Sequence, residues 1–228
     1  MEPRARDELV EAHLDVARKA ASMIFPRVSQ YVDYEELVAL GNAGLVEAAQ
    51  RFDPARGVPF GAFAWYRVQG AIVDGLRRAT NLPRRQWAQL VALRAAGEYL
   101  ENRSERDAGA ATRGAPELSR VEALSRVQDA LAAIRVMFTV SLDAASEVPL
   151  DQRAPAEALD LQRASGRLSR ALAALPDKQR ELMTKHYWEG KNLLEAGVEM
   201  GISKSWASRL HSQAVDKLRA LLAAADDG

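Results

Sequence analysis

Residues 60–78 read FGAFAWYRVQGAIVDGLRR, and the period of that stretch decides the fold. At roughly 100° per residue, Phe60, Ala64, Val68, Ala71, Ile72 and Leu76 line up as one apolar stripe, so the stretch is a helix packed on a neighbour. The opposite side collects Phe63, Tyr66, Gln69, Gly70 and Arg77, with Arg67 at its edge. A solvated helix face ordinarily carries Glu, Lys and Gln there, because an exposed Phe or Tyr gains nothing from water. Rings beside arginines are instead suited to stacking unpaired bases and holding the phosphates between them, at about 1–3 kcal/mol per stacked base. The same pattern also fits rings that lie beneath a further helix in a larger core, and the helix by itself leaves both readings open.

The flanking charge is informative. From Arg67 to Arg94, the cations Arg67, Arg77, Arg78, Arg84, Arg85 and Arg94 stand against Asp74 alone, a balance of +5. Just upstream, Asp33, Glu35, Glu36, Glu47 and Asp53 stand against Arg51, a balance of −4. The whole chain is neutral, so this neutrality is a cancellation between two segments, which points to two partners of different charge.

At 228 residues and 48% hydrophobic composition, the chain can bury a real core and has room for two or three small domains. No stretch approaches the roughly 20 apolar residues that span a bilayer. The segment Met1 to Asp7 is charged with no apolar region after it, so neither an anchor nor a secretion signal is expected and the expected location is the cytoplasm. Without cysteine there is no disulfide, thiolate metal site or thiol nucleophile. His13, His186 and His211 show no metal-ligand spacing, and neither a Gly-rich phosphate loop nor a Ser nucleophile elbow is present. The sequence therefore predicts no enzyme, no cofactor and no metal.

Nearly every ordered stretch repeats at 3.6 residues and strand-like alternation is absent, which predicts an all-α chain of several small helical domains. A first helix is expected from about Arg6 to Phe25, stopping at Pro26. Asp33 with Glu36 makes a capping box for a second, Tyr34 to Gln50, in which Leu37, Leu40, Ala43, Gly44 and Val46 pack. Arg51-Phe52-Asp53-Pro54 followed by Gly57 marks a turn before the aromatic helix. Pro83 opens a helix from about Arg84 to Arg103, Ser104 to Leu118 reads as a loop, and Ser119 to Met137 is again helical. Ser141 to Glu157, with Pro149 and Pro155, reads as a linker, after which helices resume at Leu159 with breaks at Pro176 and at Glu189-Gly190.

Leu193 to His211 fits a helix-turn-helix. Gly201 supplies the left-handed residue of the turn, and Gly197 leaves room for the second helix to cross. Met200, Ile202, Ala207 and Leu210 fall where the two helices bury side chains against each other. Ser203 caps the second helix, whose outward positions are Lys204, Ser205, Ser208, Arg209 and Ser212, donors suited to base edges and phosphates in a major groove. From Lys204 to Arg219 the cations Lys204, Arg209, Lys217 and Arg219 stand against Asp216. A helical hairpin that merely packs is the bland alternative.

These residues resemble a known family. Glu36-Leu37-Val38 with Gly41, Gly44-Leu45-Val46-Glu47-Ala48, Arg51-Phe52-Asp53-Pro54, Phe60, Ala64, Gly70-Ala71-Ile72 and Pro83-Arg84 resemble region 2 of bacterial sigma-70 family sigma factors. Leu175-Pro176, Gly190, Glu195, Gly201-Ile202-Ser203, Ser208 and Leu210-His211-Ser212-Gln213-Ala214 resemble its region 4. The short length and the Leu-His-Ser-Gln-Ala run are similar to alternative factors of the flagellar and sporulation type. The resemblance divides the chain into region 2 at 1–82, a region 3-like part at 83–140, the linker at 141–157 and region 4 at 158–228.

The resemblance implies a subunit that binds core RNA polymerase, at its clamp coiled coil and flap, directs it to promoter DNA and holds the melted -10 strand. Core contact is implied for Asp33, Glu35, Glu36, Leu37, Leu40, Asn42, Glu47, Gln50, Phe52 and Asp53. Contact with -10 DNA is implied for Phe60, Phe63, Trp65, Tyr66, Arg67, Gln69, Gly70, Val73, Arg77, Arg78, Arg84 and Arg85, and contact with the -35 element for Ser203, Lys204, Ser205, Trp206, Ser208, Arg209 and Ser212. It also implies an anti-sigma partner and no membrane. The chain departs from the family at Thr80-Asn81-Leu82, where Asp-Trp-Val is usual, at the extra rings Trp65 and Tyr66, and at Ala196, Trp206 and Ala207 of region 4. Two alternatives are a stand-alone helix-turn-helix regulator, which has no use for Phe63 or Tyr66, and a sigma-like adaptor that no longer opens promoters.

Overall fold

The apolar stripe at residues 60–78 forms the helix its period predicts. In the computed structural model, which describes residues 3–112, 119–145 and 155–225, helix α4 runs Phe60–Ala79 and buries Phe60, Ala64, Val68, Ile72 and Leu76. The helix ends where Thr80 turns extended and returns both its backbone N–H and its hydroxyl to the Leu76 carbonyl, at 2.9 and 2.7 Å. The chain falls into two compact units, 1–112 and 113–228.

In the first unit, α4 packs on α2 (Leu14–Val28) and α3 (Tyr34–Arg51). The close approach of α3 and α4 depends on Gly44, where an added Cβ would lie 2.5 Å from the Ala71 Cβ and 3.1 Å from the Val68 Cα. Around that crossing Ala17, Ala20, Ile24, Leu37, Leu45, Ile72 and Leu76 are fully enclosed. Helix α1 (Pro3–Glu11) lies on α3, and α5 (Arg84–Thr112) lies on α4.

Five details differ from expectation. The single helix predicted from Arg6 is two, broken at Ala12-His13, where the His13 ring donates from Nδ1 to the Leu9 carbonyl and sets its edge on Phe60, 4.9 Å between centroids. Pro26 does not stop α2; it removes one backbone bond near the helix end, and burial of Ile24 and Val28 on either side outweighs that loss. Asp33 is the N-cap residue of α3, but its side chain makes no capping bond, and Ala43 and Val46 are exposed rather than packed. The loop expected at Ser104 to Leu118 is helical through Thr112, because α5 continues along α4; residues 113–118 lie outside the described residues.

The second unit holds α6 (Arg120–Ala144), α7 (Pro155–Ala173), α8 (Asp177–Met183), a π-helical turn at Thr184–Trp188, α9 (Leu193–Glu199) and α10 (Lys204–Ala224). Both described edges of the predicted linker are helical, as the end of α6 and the start of α7, while 146–154 lie outside the described residues. Ser119 and Glu122 cap α6 reciprocally, with the Ser119 N–H 2.9 Å from a Glu122 carboxylate oxygen. Asn192 and Glu195 do the same for α9 at 2.9 and 3.0 Å. Among the described residues no helix is long and apolar enough to cross a membrane.

Candidate nucleic-acid interfaces

On α4 the side opposite the core is not free in the way its sequence suggests. Helix α5 runs across it, so Phe63, Trp65, Tyr66, Arg67 and Gly70 are partly buried, while Gln69, only 4% exposed, is enclosed. Gly97 of α5 allows the approach, since a Cβ there would meet the Tyr66 ring at 3.2 Å and the Gln69 amide oxygen at 3.3 Å. Of the two sequence readings of this face, the rings do lie beneath a further helix, which leaves Phe63, Trp65 and Tyr66 partly rather than fully buried.

Polar contacts tie the two helices. The Arg67 guanidinium pairs with the Glu101 carboxylate and sits over the Phe63 ring, 4.1 Å from its centroid. Arg94 pairs with Asp74 of α4 and with Glu98, 3.2 Å away. Burial would pull the Arg94 pKa down, but Glu98 and Asp74 outweigh it and hold the guanidinium charged. Two cations of the basic segment are therefore spent inside the unit, while Arg77, Arg78, Arg84 and Arg85 are exposed at the end of α4 and the start of α5.

Beside the rings lies a cavity of about 330 Å³ lined by Phe52, Phe63, Tyr66 and, at its rim, Asp53, Glu101 and Glu105. Phe52 bridges the apolar core to this cavity, its ring 5.1 Å from Phe60 and 5.4 Å from Phe63. Burial, then the Glu101 charge, pushes the Tyr66 hydroxyl above the ordinary phenol range, so it remains a hydrogen-bond donor at neutral pH. A flat ring can stack in such a space with an amino group toward the carboxylates, whereas a phosphate is repelled by them and attracted to the arginines outside.

Of the residues implied for core contact, Asp33, Glu35, Glu36, Glu47, Gln50 and Asp53 are exposed, Leu40, Asn42 and Phe52 are partly buried, and Leu37 is wholly enclosed. Phe60 and Val73, implied for -10 contact, are core residues that a strand cannot reach. They and Leu37 and Gln69 support the surfaces rather than form them.

In the second unit Gly201 adopts φ +67°, the left-handed turn predicted, and Gly197 sits 3.0 Å, measured from its would-be Cβ, from the Ile202 carbonyl oxygen. Leu182, Leu193, Ala196, Ala207 and Leu210 form the core, with Met200 and Ile202 packed against it. The Ser203 hydroxyl accepts the Trp206 N–H at 3.2 Å, as its capping role requires. Lys185 and Lys191, 2.9 and 2.6 Å from Glu199, fasten the end of α9, and their hydrogen bonds, Lys191 first, hold the Glu199 carboxyl below its usual range.

Ser203, Lys204, Ser205, Trp206 and Arg209 are exposed on α10 and Ser208 is partly so. Ser212 is 1% exposed and donates to the Ser208 carbonyl, so it does not face outward; α10 also packs on α6 and α7, which encloses more of its circumference than a two-helix motif would. Two residues escaped the sequence reading. Gln213 is exposed and follows Arg209 by one turn, a position the 100° projection indicates. Glu101 lies 34 positions from Arg67, and no local pattern pairs them.

Residues 9–81 match the profile of Sigma-70 region 2 and residues 171–220 that of Sigma-70, region 4. The RNA polymerase sigma-F factor of Kitasatospora aureofaciens is 31% identical over 227 residues, 95% of this chain and 74% of its own. The RNA polymerase sigma factor FliA of Pseudomonas aeruginosa is 29% identical over 225 residues, 96% of this chain and 91% of its own. The sigma-D factor of Bacillus subtilis is 29% identical over 236 residues, 97% and 91% of the two chains. A solved structure titled as a cocrystal of the flagellar sigma/anti-sigma complex, Sigma-28/FlgM, aligns over 98% of this chain at 20% identity with a TM-score of 0.34, a superposition too loose to carry an inference.

Proposed function

This chain belongs to the sigma-70 family, and from that premise we propose how its two units divide the work of a sigma factor that directs RNA polymerase to promoters. The exposed acidic residues of α3 and the turn after it, Asp33, Glu35, Glu36, Glu47 and Asp53, meet the core enzyme. The edges of Phe63 and Tyr66, with Trp65 alongside, take unpaired bases of the -10 strand, and Arg77, Arg78, Arg84 and Arg85 follow its phosphates. The outward face of α10 meets the -35 duplex. The bond-making chemistry belongs to the polymerase, and this chain works by binding alone. By family, its further partner is an anti-sigma protein that covers one of these faces.

The observation that carries the reading is the ring face of α4 with exposed arginines continuing from its end, on the same chain as a capped helix-turn-helix. A stand-alone duplex-binding regulator has no use for the first. Purified protein is expected to bind core polymerase, and the resulting holoenzyme to initiate from a defined set of promoters, while the protein alone binds duplex weakly. Tight, sequence-specific duplex binding by the free protein would overturn the assignment.

Flipping a base out of a duplex costs a few kcal/mol, which stacking on one or two rings and release of counterions can offset without ATP. In this chain the strand must also displace Glu101 from Arg67. Both side chains are about a quarter exposed, so the pair is partly screened and its loss is modest. Glu101→Gln is expected to tighten holoenzyme binding to single-stranded -10 oligonucleotides by roughly 2–5-fold at low salt, with the gain shrinking as salt rises. Fluorescence anisotropy across a salt series measures it; a variant that binds the oligonucleotide more weakly would show that Glu101 helps the strand rather than competing with it.

A further inference from the structure

We propose that Trp206 is a specificity residue that reads a thymine methyl group in the major groove of the -35 element, a claim that rests on α10 being the duplex-reading helix. Trp206 is 44% exposed and takes no part in the cluster of Leu182, Leu193, Ala196, Ala207 and Leu210, although Leu210 follows it by one turn on α10. It stands in the first turn of α10, the part of a recognition helix that reaches base edges, and the bond from its backbone N–H to the Ser203 hydroxyl fixes that turn.

Its neighbours set what the ring can meet. Ser205, Trp206, Arg209 and Gln213 are all exposed and fall on one side of α10, so the indole belongs to the same stripe as the polar donors. The Arg209 guanidinium lies 5.5 Å from the indole centroid, which holds both side chains together as one reading element. The indole carries no charge and has a single donor, its Nε1–H, so most of what it offers a duplex is apolar surface, and of the four bases only thymine presents an apolar group in the major groove, its 5-methyl. The ring thus selects thymine at its own position by burying that methyl, while Arg209, held beside it, is placed to donate to the acceptors of an adjacent base.

Deoxyuridine tests this directly, because replacing thymine with uracil deletes the methyl and keeps every hydrogen-bonding group. Promoter duplexes selected by the reconstituted holoenzyme from a random library are remade with single thymine-to-uracil changes along the -35 element, and binding is measured by gel shift. One position is expected to weaken wild-type binding about fourfold, the size of one buried methyl group. Trp206→Ala and Trp206→Gln holoenzymes are expected to bind thymine and uracil duplexes there equally. The inference is overturned if wild type tolerates uracil at every position, or if both variants weaken binding while preserving the discrimination, which would place Trp206 against protein rather than base. If scrambling the whole -35 element leaves wild-type binding unchanged, the assignment of α10 itself fails; if scrambling weakens binding and uracil does not, only the role of Trp206 does.

Discussion

Tyr66→Ala is expected to leave core-polymerase binding intact and to lower open-complex formation by roughly 5- to 150-fold, the range that follows from losing one stacked base at about 1–3 kcal/mol. Tyr66 is partly buried against α5 and borders the cavity it shares with Phe52 and Phe63. Of the acidic residues proposed to meet the core enzyme, Asp53 borders that cavity, while Asp33, Glu35, Glu36 and Glu47 do not line it. Because Tyr66 also packs beside Gly97, the alanine variant loses some support for α5, and a second variant separates the two effects. Tyr66→Phe keeps the ring and its packing and removes only the hydroxyl, so it should open promoters at close to the wild-type rate. Fluorescence of 2-aminopurine placed in the -10 element reports opening, and co-purification reports core binding. An alanine variant that opens promoters normally would remove the ring from the mechanism.

The parts of the fold that were legible are those set by local spacing. Phe60, Ala64, Val68, Ile72 and Leu76 are buried as their period requires, and Gly201 turns left-handed because no side chain hinders it there. What escaped was set at long range. Nothing within residues 60–78 announces that α5 would lie on the ring face, so Gln69 reads as outward and is enclosed. Ser212 misleads in the same way, since only the packing of α6 and α7 on α10 gives that helix a wider buried side. Charge is similarly ambiguous: six arginines in a row of segments suggest one basic surface, yet Arg67 and Arg94 are neutralised by Glu101, Glu98 and Asp74 while Arg77, Arg78, Arg84 and Arg85 stay exposed. The helix-turn-helix was the most readable element because its turn, its cap and its crossing each depend on one residue, Gly201, Ser203 and Gly197.

Acid is expected to unfold the second unit through a histidine on the buried side of its recognition helix. His211 is 1% exposed; its Nε2 lies 3.1 Å from the Tyr187 hydroxyl, and its ring is 5.4 Å from that of His186. The π-helical turn brings His186 and Tyr187 inward, and the His186 Nδ1–H donates to the Lys191 carbonyl at 2.7 Å. Burial, and then the charge of His186, pulls the His211 pKa down from 6.5 to about 3. Above pH 6.5 the ring is neutral both folded and unfolded, so it makes no pH-dependent contribution. Between 6.5 and about 3 the unfolded chain binds a proton that the folded one refuses, and stability falls by up to about 1.4 kcal/mol per pH unit, summing to about 4 kcal/mol. Such a loss is a large fraction of the 5–15 kcal/mol that holds a typical domain together. The stability is thus lost as pH falls, and -35 binding should fail with it while the fold of the first unit persists. Thermal melts of the full chain from pH 7 to pH 4 should show the transition assigned to the second unit moving steeply downward. His211→Gln, which stays neutral and can still meet the Tyr187 hydroxyl, should flatten that slope; an unchanged slope in the variant would assign the acid sensitivity to other groups.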